Sequence, residues 1–408
     1  MNAMTAATLL RPAEDGATAP AAADANPCTR LREGYAQARR AGARRHRDVA
    51  ELLGVSEGEL IAAHVVPLPA PAAAPQGDPR PAAASASAAG LQATRLQGPW
   101  PELVAALGGV GEVMALTRNV SCVHEKTGIY RDASASGPAG REMGLVLGPE
   151  IDLRIFYSRW IHGLAVAEPT EQGLQRSLQF FDAQGQAVHK VFARAGTDLP
   201  AWESLVTRFA SPDAVPGLDM LPAPPPAPAE KADAEVDVAT FHQDWAALRD
   251  THEFFGLLRR HGLSRTQALR LAQPRFVQAV ELDSAQALLH GAAASGTPIM
   301  VFVGNPGVIQ IHTGPVQRVH VMGPWLNVLD RDFNLHLRED RIASAWVVRK
   351  PTADGLVTSL EVFDAHGETI AMFFGERKPG RPELCAWRSL VEGLAGEGRG
   401  TEASPCTC

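Results

Sequence analysis

Cysteine is scarce, no apolar run is long, and neither sign of charge dominates; each shortage removes a class of function. The 408 residues hold five cysteines, Cys28, Cys122, Cys385, Cys406 and Cys408. An odd number, two of them in the tail, makes no disulfide framework and fits a reducing compartment. No stretch reaches about 18 apolar residues without a charge, so no membrane span is expected. The region from Met1 to Asn26 carries Glu14, Asp15 and Asp24 and has no continuous apolar core, so it reads as a disordered leader rather than an export signal. The expected location is the cytoplasm. With 38 basic and 45 acidic residues the net charge is −7, which disfavours a general nucleic-acid or anionic-membrane surface. The GxGxxG, Walker, HExxH and GxSxG patterns are absent, so nucleotide, zinc-protease and serine-hydrolase readings lack their parts.

What is present is a long chain divided by composition. Segment 67–90 is rich in proline, alanine and serine and reads as a mobile insertion, and 210–234 holds Pro212, Pro216, Pro222 and a run from Pro224, which reads as a linker. The expected division is a disordered leader at 1–27, a first unit at 28–209, the linker at 210–234, a second unit at 235–396 and a disordered tail at 397–408. Alternating apolar residues predict strands at 112–118, 120–125, 144–147, 151–157, 163–168, 173–181 and 187–193 in the first unit.

The second unit repeats the first. Phe180-Phe181-Asp182-Ala183-Gln184-Gly185 returns as Val362-Phe363-Asp364-Ala365-His366-Gly367, and the same offset pairs Pro169-Thr170 with Pro351-Thr352, Leu153 with Leu335 and Phe192 with Phe374. Asn119 pairs with Asn305 at a slightly larger offset. The fold class is therefore α+β with internal duplication, helices leading and closing each antiparallel sheet.

Candidate chemistry gathers in Asp250-Thr251-His252-Glu253-Phe254-Phe255-Gly256, followed by Arg259, Arg260, His261 and Arg265. On a helical period His252, Phe255 and Arg259 share a side with Leu248 one turn earlier, so a neutral imidazole would stand beside an apolar stripe, free to bind a metal or to act as an ordinary core or surface histidine. Gly262 reads as a C-terminal cap and Ser264 as the N-cap of a helix that presents Arg265 at its positive end, suited to an anion. Gly262 answers to Gly54 in the first unit, where Arg44 to Leu60 resembles a helix-turn-helix, although Glu57 and Glu59 are poor partners for phosphates. His189 in an alternating strand is a rival ligand, and His336 stands at the repeat position of Arg154. The terminal Cys406-Thr407-Cys408 could bind a metal or oxidise, or be incidental.

The chain also resembles the HemS/HmuS family of cytoplasmic bacterial haem-handling proteins, also called hemin-degrading factors. The stretches that carry the resemblance are Gly111 to Asn119, Val123-His124-Glu125, Leu153-Arg154, Asp250-Thr251-His252, Val303-Gly304-Asn305, Arg349-Lys350-Pro351-Thr352, Thr358 to Glu361 and Gly375-Glu376-Arg377. The resemblance implies two large antiparallel β-sheets flanked by helices, with one non-covalent haem b in a cleft between the halves. It makes His252 the axial ligand of the iron and Arg154 a distal group, catalytic if the protein degrades haem. Arg265, Lys350 and Arg377 are expected to meet the propionates and Phe302 to line the wall. Phe374 and Met372 depart from the Tyr and Gln expected there. The leading expectation is a cytoplasmic haem-binding protein that receives imported haem from an importer and delivers it to an oxygenase or reductase for iron release or storage. The alternatives are an enzyme that opens the macrocycle with oxygen or peroxide and an electron donor, and, more distantly, a DNA-binding regulator.

Overall fold

The computed structural model describes residues 26–43, 45–68, 90–138, 140–225, 228–377 and 380–394. Almost all of the expected leader and of the 67–90 insertion, and all of Cys406-Thr407-Cys408, lie outside those residues, as does Arg44. The first half begins with helices α1 (Pro27–Arg40), α2 (His46–Leu53) and α3 (Glu57–Ala62), then strand β1 (Gln92–Leu96) and helix α4 (Trp100–Ala106). It continues through β2 (Gly111–Arg118), β3 (Cys122–Gly128), β4 (Ser134–Ser136), β5 (Met143–Leu147), β6 (Asp152–Phe156), β7 (His162–Thr170), β8 (Gly173–Phe181) and β9 (Ala187–Thr197) to α5 (Leu199–Phe209). The second half opens with α6 (Val238–Ala246), α7 (Glu253–His261), α8 (Arg265–Leu271), β10 (Val277–Val280) and α9 (Ser284–Ser295). Its remaining elements are β11 (Ile299–Asn305), β12 (Val308–Gly314), β13 (Val319–Met322), β14 (Trp325–Leu329), β15 (Phe333–Arg338), β16 (Ser344–Thr352), β17 (Gly355–Phe363), β18 (Thr369–Gly375) and α10 (Cys385–Leu394).

Local chemistry sets these boundaries. Gly54 and Gly262 both adopt the left-handed conformation, at φ +69° and +60°, and stop α2 and α7. Ser56 and Ser264 then cap α3 and α8 by accepting the amides of Glu59 and Gln267. The strand expected from Val120 starts at Cys122, because Asn119 Oδ1 accepts the amides of Ser121 and Cys122 and holds a turn there.

The strands form two nine-stranded antiparallel sheets, ordered β1-β7-β8-β9-β2-β3-β15-β14-β13 and β10-β16-β17-β18-β11-β12-β6-β5-β4. Each sheet therefore takes six strands from one half and three from the other. β15 pairs with β3, and β6 with β12, so neither half completes its own sheet. The exchange covers edges that would otherwise be exposed on β3 and β12.

The two sheets face each other at β2 and β11. At one end α4 and α5 bury Leu103, Trp202 and Phe209 in a core shared with both sheets, and at the other α9 and α10 bury Leu288 and Trp387. The outer faces are only partly covered: α1 to α3 pack over Leu164, Val166 and Phe181 of the first sheet, and α6 to α8 over Val348 and Phe363 of the second. In α3, Glu57, Gly58, Leu60, Ile61 and Ala62 are buried. The helix that resembles a recognition helix therefore has no free face to place in a DNA groove.

Candidate functional site

Residues directly opposite in an antiparallel ladder share a face. On the outer face of the second sheet Glu361 of β17 lies opposite Met372 of β18, Met372 opposite Phe302 of β11, Phe302 opposite Ile311 of β12, and Ile311 opposite Asp152 of β6. One step along the strands, Phe374 faces Met300 and Arg154 faces Ile309. The strands alternate: Val301, Val303 and Phe373 are buried in the core, while Met300, Phe302, Met372 and Phe374 are half-buried on the outer side. From β18 to β12 the apolar floor, half-buried at Phe302, Ile309, Met372 and Phe374 and buried at Ile311, spans two strand spacings, about 10 Å, and β6 adds the charged Asp152 and Arg154 at its edge. Because β6 is lent by the first half, Arg154 joins a face otherwise built from the second.

Cations gather at the β17 side of this floor. Arg265 donates from Nε and Nη2 to the two oxygens of Glu361 at 2.7 and 2.8 Å, and Lys350 Nζ donates to the same carboxylate at 2.7 Å. Both cations also lie over the ring of Phe254, at 5.1 and 4.6 Å, and Arg265 Nη2 is 3.4 Å from Met372 Sδ. Burial alone would raise the Glu361 carboxyl, but Arg265 and Lys350 outweigh it and hold the group well below the usual carboxylate range. Burial pushes the Lys350 ammonium down to about 8 against the pull of Glu361. Two cations on one carboxylate leave the cluster one positive charge in surplus. The anion at the start of α8 is thus the protein's own Glu361. Lys350 is only 3% exposed, so it bears on the floor through its charge rather than through an open N–H.

Arg377 lies 3.9 Å from Asp354; the Asp250 carboxyl is held low first by the amide and ring of His252, with Arg377 adding a smaller part. Arg154 donates to Asp152 and to the carbonyl of Leu153, and burial raises the Asp152 carboxyl despite that pairing.

His252 does not stand on a helical stripe below Leu248. Helix α6 ends at Ala246 and α7 begins at Glu253, because Asp250 and Glu253 turn the chain between them: Glu253 accepts the amides of Arg249 and Asp250, and Asp250 accepts that of His252. His252 occupies the position just before α7 and makes no side-chain capping bond to it. Asp250 Oδ1 also lies 2.6 Å from His252 Nδ1, which places the proton on Nδ1 and leaves Nε2 as the free lone pair. The side chain is 92% exposed, next to an exposed Phe255. The amide of Ala353 donates to the carbonyl of Arg249 at 2.8 Å and Arg377 meets the adjacent Asp354, so the turn before His252 and the segment of Arg377 lie against the same β16–β17 loop.

Three other histidines are engaged by neighbouring side chains. His189 is buried with Thr117 Oγ1 at 2.9 Å from Nδ1 and Tyr130 Oη at 2.6 Å from Nε2, so it offers no lone pair to a metal. His261 bonds Asp244, and His336 bonds Asn327. Sequence reasoning gave no role to Glu361, Asp250 or Phe254. Glu361 stood out only as an acid between apolar neighbours at the end of the matching stretch Thr358 to Glu361.

Residues 80–209 and 262–394 match the model of the haemin-degrading HemS.ChuX domain. The chain is 40% identical over 349 residues to the hemin transport protein HmuS of Yersinia pestis, covering 85% of this chain and 92% of that one. It belongs to the HemS family. Another relative is the hemin transport protein HemS of Yersinia enterocolitica, 39% identical over 351 residues, 85% of this chain and 92% of that one. Among solved structures, holo-PhuS, a heme-binding protein from Pseudomonas aeruginosa, aligns with a TM-score of 0.81 at 45% identity over 90% of this chain and 99% of that one. ChuS, described as an E. coli heme oxygenase, aligns with a TM-score of 0.73 at 36% identity over 90% of this chain and 98% of that one. In this HemS-family chain His252 precedes the second of the matched stretches and lies outside both.

Proposed function

We propose that this chain is a cytoplasmic haem-binding protein that receives imported haem and delivers it for iron release or storage, holding about one haem b per chain without a covalent bond. The observation that carries the reading is the outer face of the second sheet: a half-buried apolar floor with a surplus positive charge at one side. Ferric haem is a flat apolar body with two carboxylates and an iron that takes imidazole nitrogen. Phe302, Met372 and Phe374 suit the ring, Arg265 and Arg377 suit the carboxylates with Lys350 behind them, and Arg154 faces the opposite side of the floor. His252, its Nε2 free and its Nδ1 held by Asp250, is the ligand to the iron. Arg265 fits a carboxylate because its charge persists when water is removed. Phe374 and Met372 offer the ring apolar contact without a hydroxyl or amide. The expected partners are a haem importer upstream and an oxygenase or reductase downstream.

The likeness to ChuS supports a second reading, in which this chain itself opens the macrocycle with Arg154 stabilising negative charge on the distal side. One experiment separates the two. The protein is loaded with one equivalent of ferric haem, ascorbate or a flavoprotein reductase is added with catalase present, and the Soret band is followed. A stable band that passes to an added haem oxygenase supports the carrier. Loss of the band with release of CO or iron and a linear tetrapyrrole supports the enzyme, and failure to bind haem at all overturns both.

A further inference from the structure

The floor of the second sheet has charged groups at both ends but a net charge at only one. At the β17 end two cations share Glu361. At the β6 end Arg154 meets one acid, Asp152, two residues away on the same strand and therefore on the same face. Arg154 Nη1 donates both to Asp152 Oδ1 and, at 3.2 Å, to the carbonyl of Leu153, so the guanidinium lies back along β6 instead of reaching out past Ile309, its neighbour on β12. Neither side chain has a substitute for the other. Asp152 bonds no other side chain, and Arg154 no other carboxylate, among the described residues.

The surroundings tie the pair further. Both side chains are partly covered, Asp152 at 22% and Arg154 at 31% exposure, and Asp152 stands opposite the buried Ile311. A carboxylate that gave up Arg154 there would remain charged beside apolar residues with nothing to offset it. The first sheet has no such pair. At the offset that joins Leu153 to Leu335, Asn334 and His336 stand where Asp152 and Arg154 do, and His336 bonds Asn327.

We infer that Asp152 is a positioning residue that neutralises Arg154 and keeps its guanidinium from the distal side of the iron, and that this holds the chain to carriage rather than macrocycle opening. Chemistry that builds negative charge beside the iron needs a cation free to meet it, and Arg154 comes with its counter-charge attached. The inference rests on the proposed function, since it takes haem on this floor with His252 on the iron.

The test uses the full haem-loaded chain, reduced and exposed to carbon monoxide, whose stretching frequency falls when positive charge stands near it. Asp152→Asn is expected to lower the frequency, Asp152→Glu, which keeps the charge, to leave it, and Asp152→Asn with Arg154→Met to return it to the wild-type value. With ascorbate and catalase present, the Soret band of Asp152→Asn should decay faster than that of wild type, by about a hundredfold if the freed guanidinium stabilises the developing charge. Asparagine suits the strand, as Asn334 shows in the other sheet; if Asp152→Asn does not fold, Asp152→Thr replaces it with the same expectations. A haem-loaded Asp152→Asn or Asp152→Thr whose carbon monoxide band stays at the wild-type frequency, or whose Soret decay is no faster, overturns the inference and leaves the proposed function standing. So does a double variant whose band lies above that of wild type, because Arg154 would then already act on the ligand. A wild type that binds no haem overturns the proposed function instead.

Discussion

Asn119 and Asn305 make the same set of bonds in opposite directions across the seam between the halves. Asn119 Nδ2 donates to the carbonyls of Gly304 and Ile370, and Asn305 Nδ2 donates to those of Arg118 and Val188. Each side-chain oxygen accepts two amides of its own turn, Ser121 and Cys122 for Asn119, Gly307 and Val308 for Asn305. The two turns thus hold each other, and they are the ends of β2 and β11, where the sheets meet. Asn119→Ala removes all four bonds and leaves carbonyls of the other half unpaired, a cost on the order of 3 kcal/mol. Urea denaturation should show a comparable loss for Asn305→Ala and less than the sum for the double variant, since each change already breaks the seam.

Ligand affinity should depend on pH through Lys350. Burial holds its ammonium at about 8 rather than 10.5, so it is charged at neutral pH and loses its proton as pH rises through that value. Affinity for a dianionic ligand is then greatest below about 8 and falls above it, by about tenfold if one charge-assisted interaction is lost. Haem titrations between pH 7 and 9 should show this step in wild type and not in Lys350→Met.

Acid should loosen the space between the sheets. Burial pushes His189 and His312 down to about 3 and His124 well below its usual value, with Lys126 adding to the effect on His312 and both His312 and Lys126 to that on His124. Of the acids near Lys126, Asp332 at 3.8 Å is exposed; Glu150 and Asp330 act on the same amine. An imidazole whose folded pKa is lowered binds its proton only when the chain unfolds. Stability is therefore complete above 6.5 and drains as pH falls from there toward 3, by on the order of 2 kcal/mol per buried imidazole at pH 4.5. His124 has no hydrogen-bond partner on either ring nitrogen among the described residues. His124→Leu should consequently cost little at pH 7 and unfold at higher urea than wild type at pH 4.5.

Much of this arrangement could be read from the chain before any coordinates. The paired turn Phe-Asp-Ala at 181–183 and 363–365, the Asn119 and Asn305 match and the glycine–serine breaks before Glu57 and Arg265 are local signals, and each marks a local structure. The exchange of β6 and β15 between sheets leaves no such mark, because alternation in Leu153-Arg154-Ile155 says that a strand has one buried face and nothing about its neighbour. Nor did the sequence show that Arg265 and Lys350 would meet on Glu361, a contact set by sheet register across residues far apart in the chain. The helical reading of His252 failed for a simpler reason: the carboxylates of Asp250 and Glu253 capture the amides that would have carried α6 into α7.

The proposed role of His252 is tested most directly by the absorption spectrum of the haem-loaded His252→Ala variant beside that of His189→Ala. The account predicts that His252→Ala moves the Soret band and weakens haem binding. His189→Ala, which loses its bonds to Thr117 and Tyr130, should lower stability and leave the band in place. A wild-type spectrum from His252→Ala, or a shifted band from His189→Ala, would contradict it and move the iron ligand elsewhere.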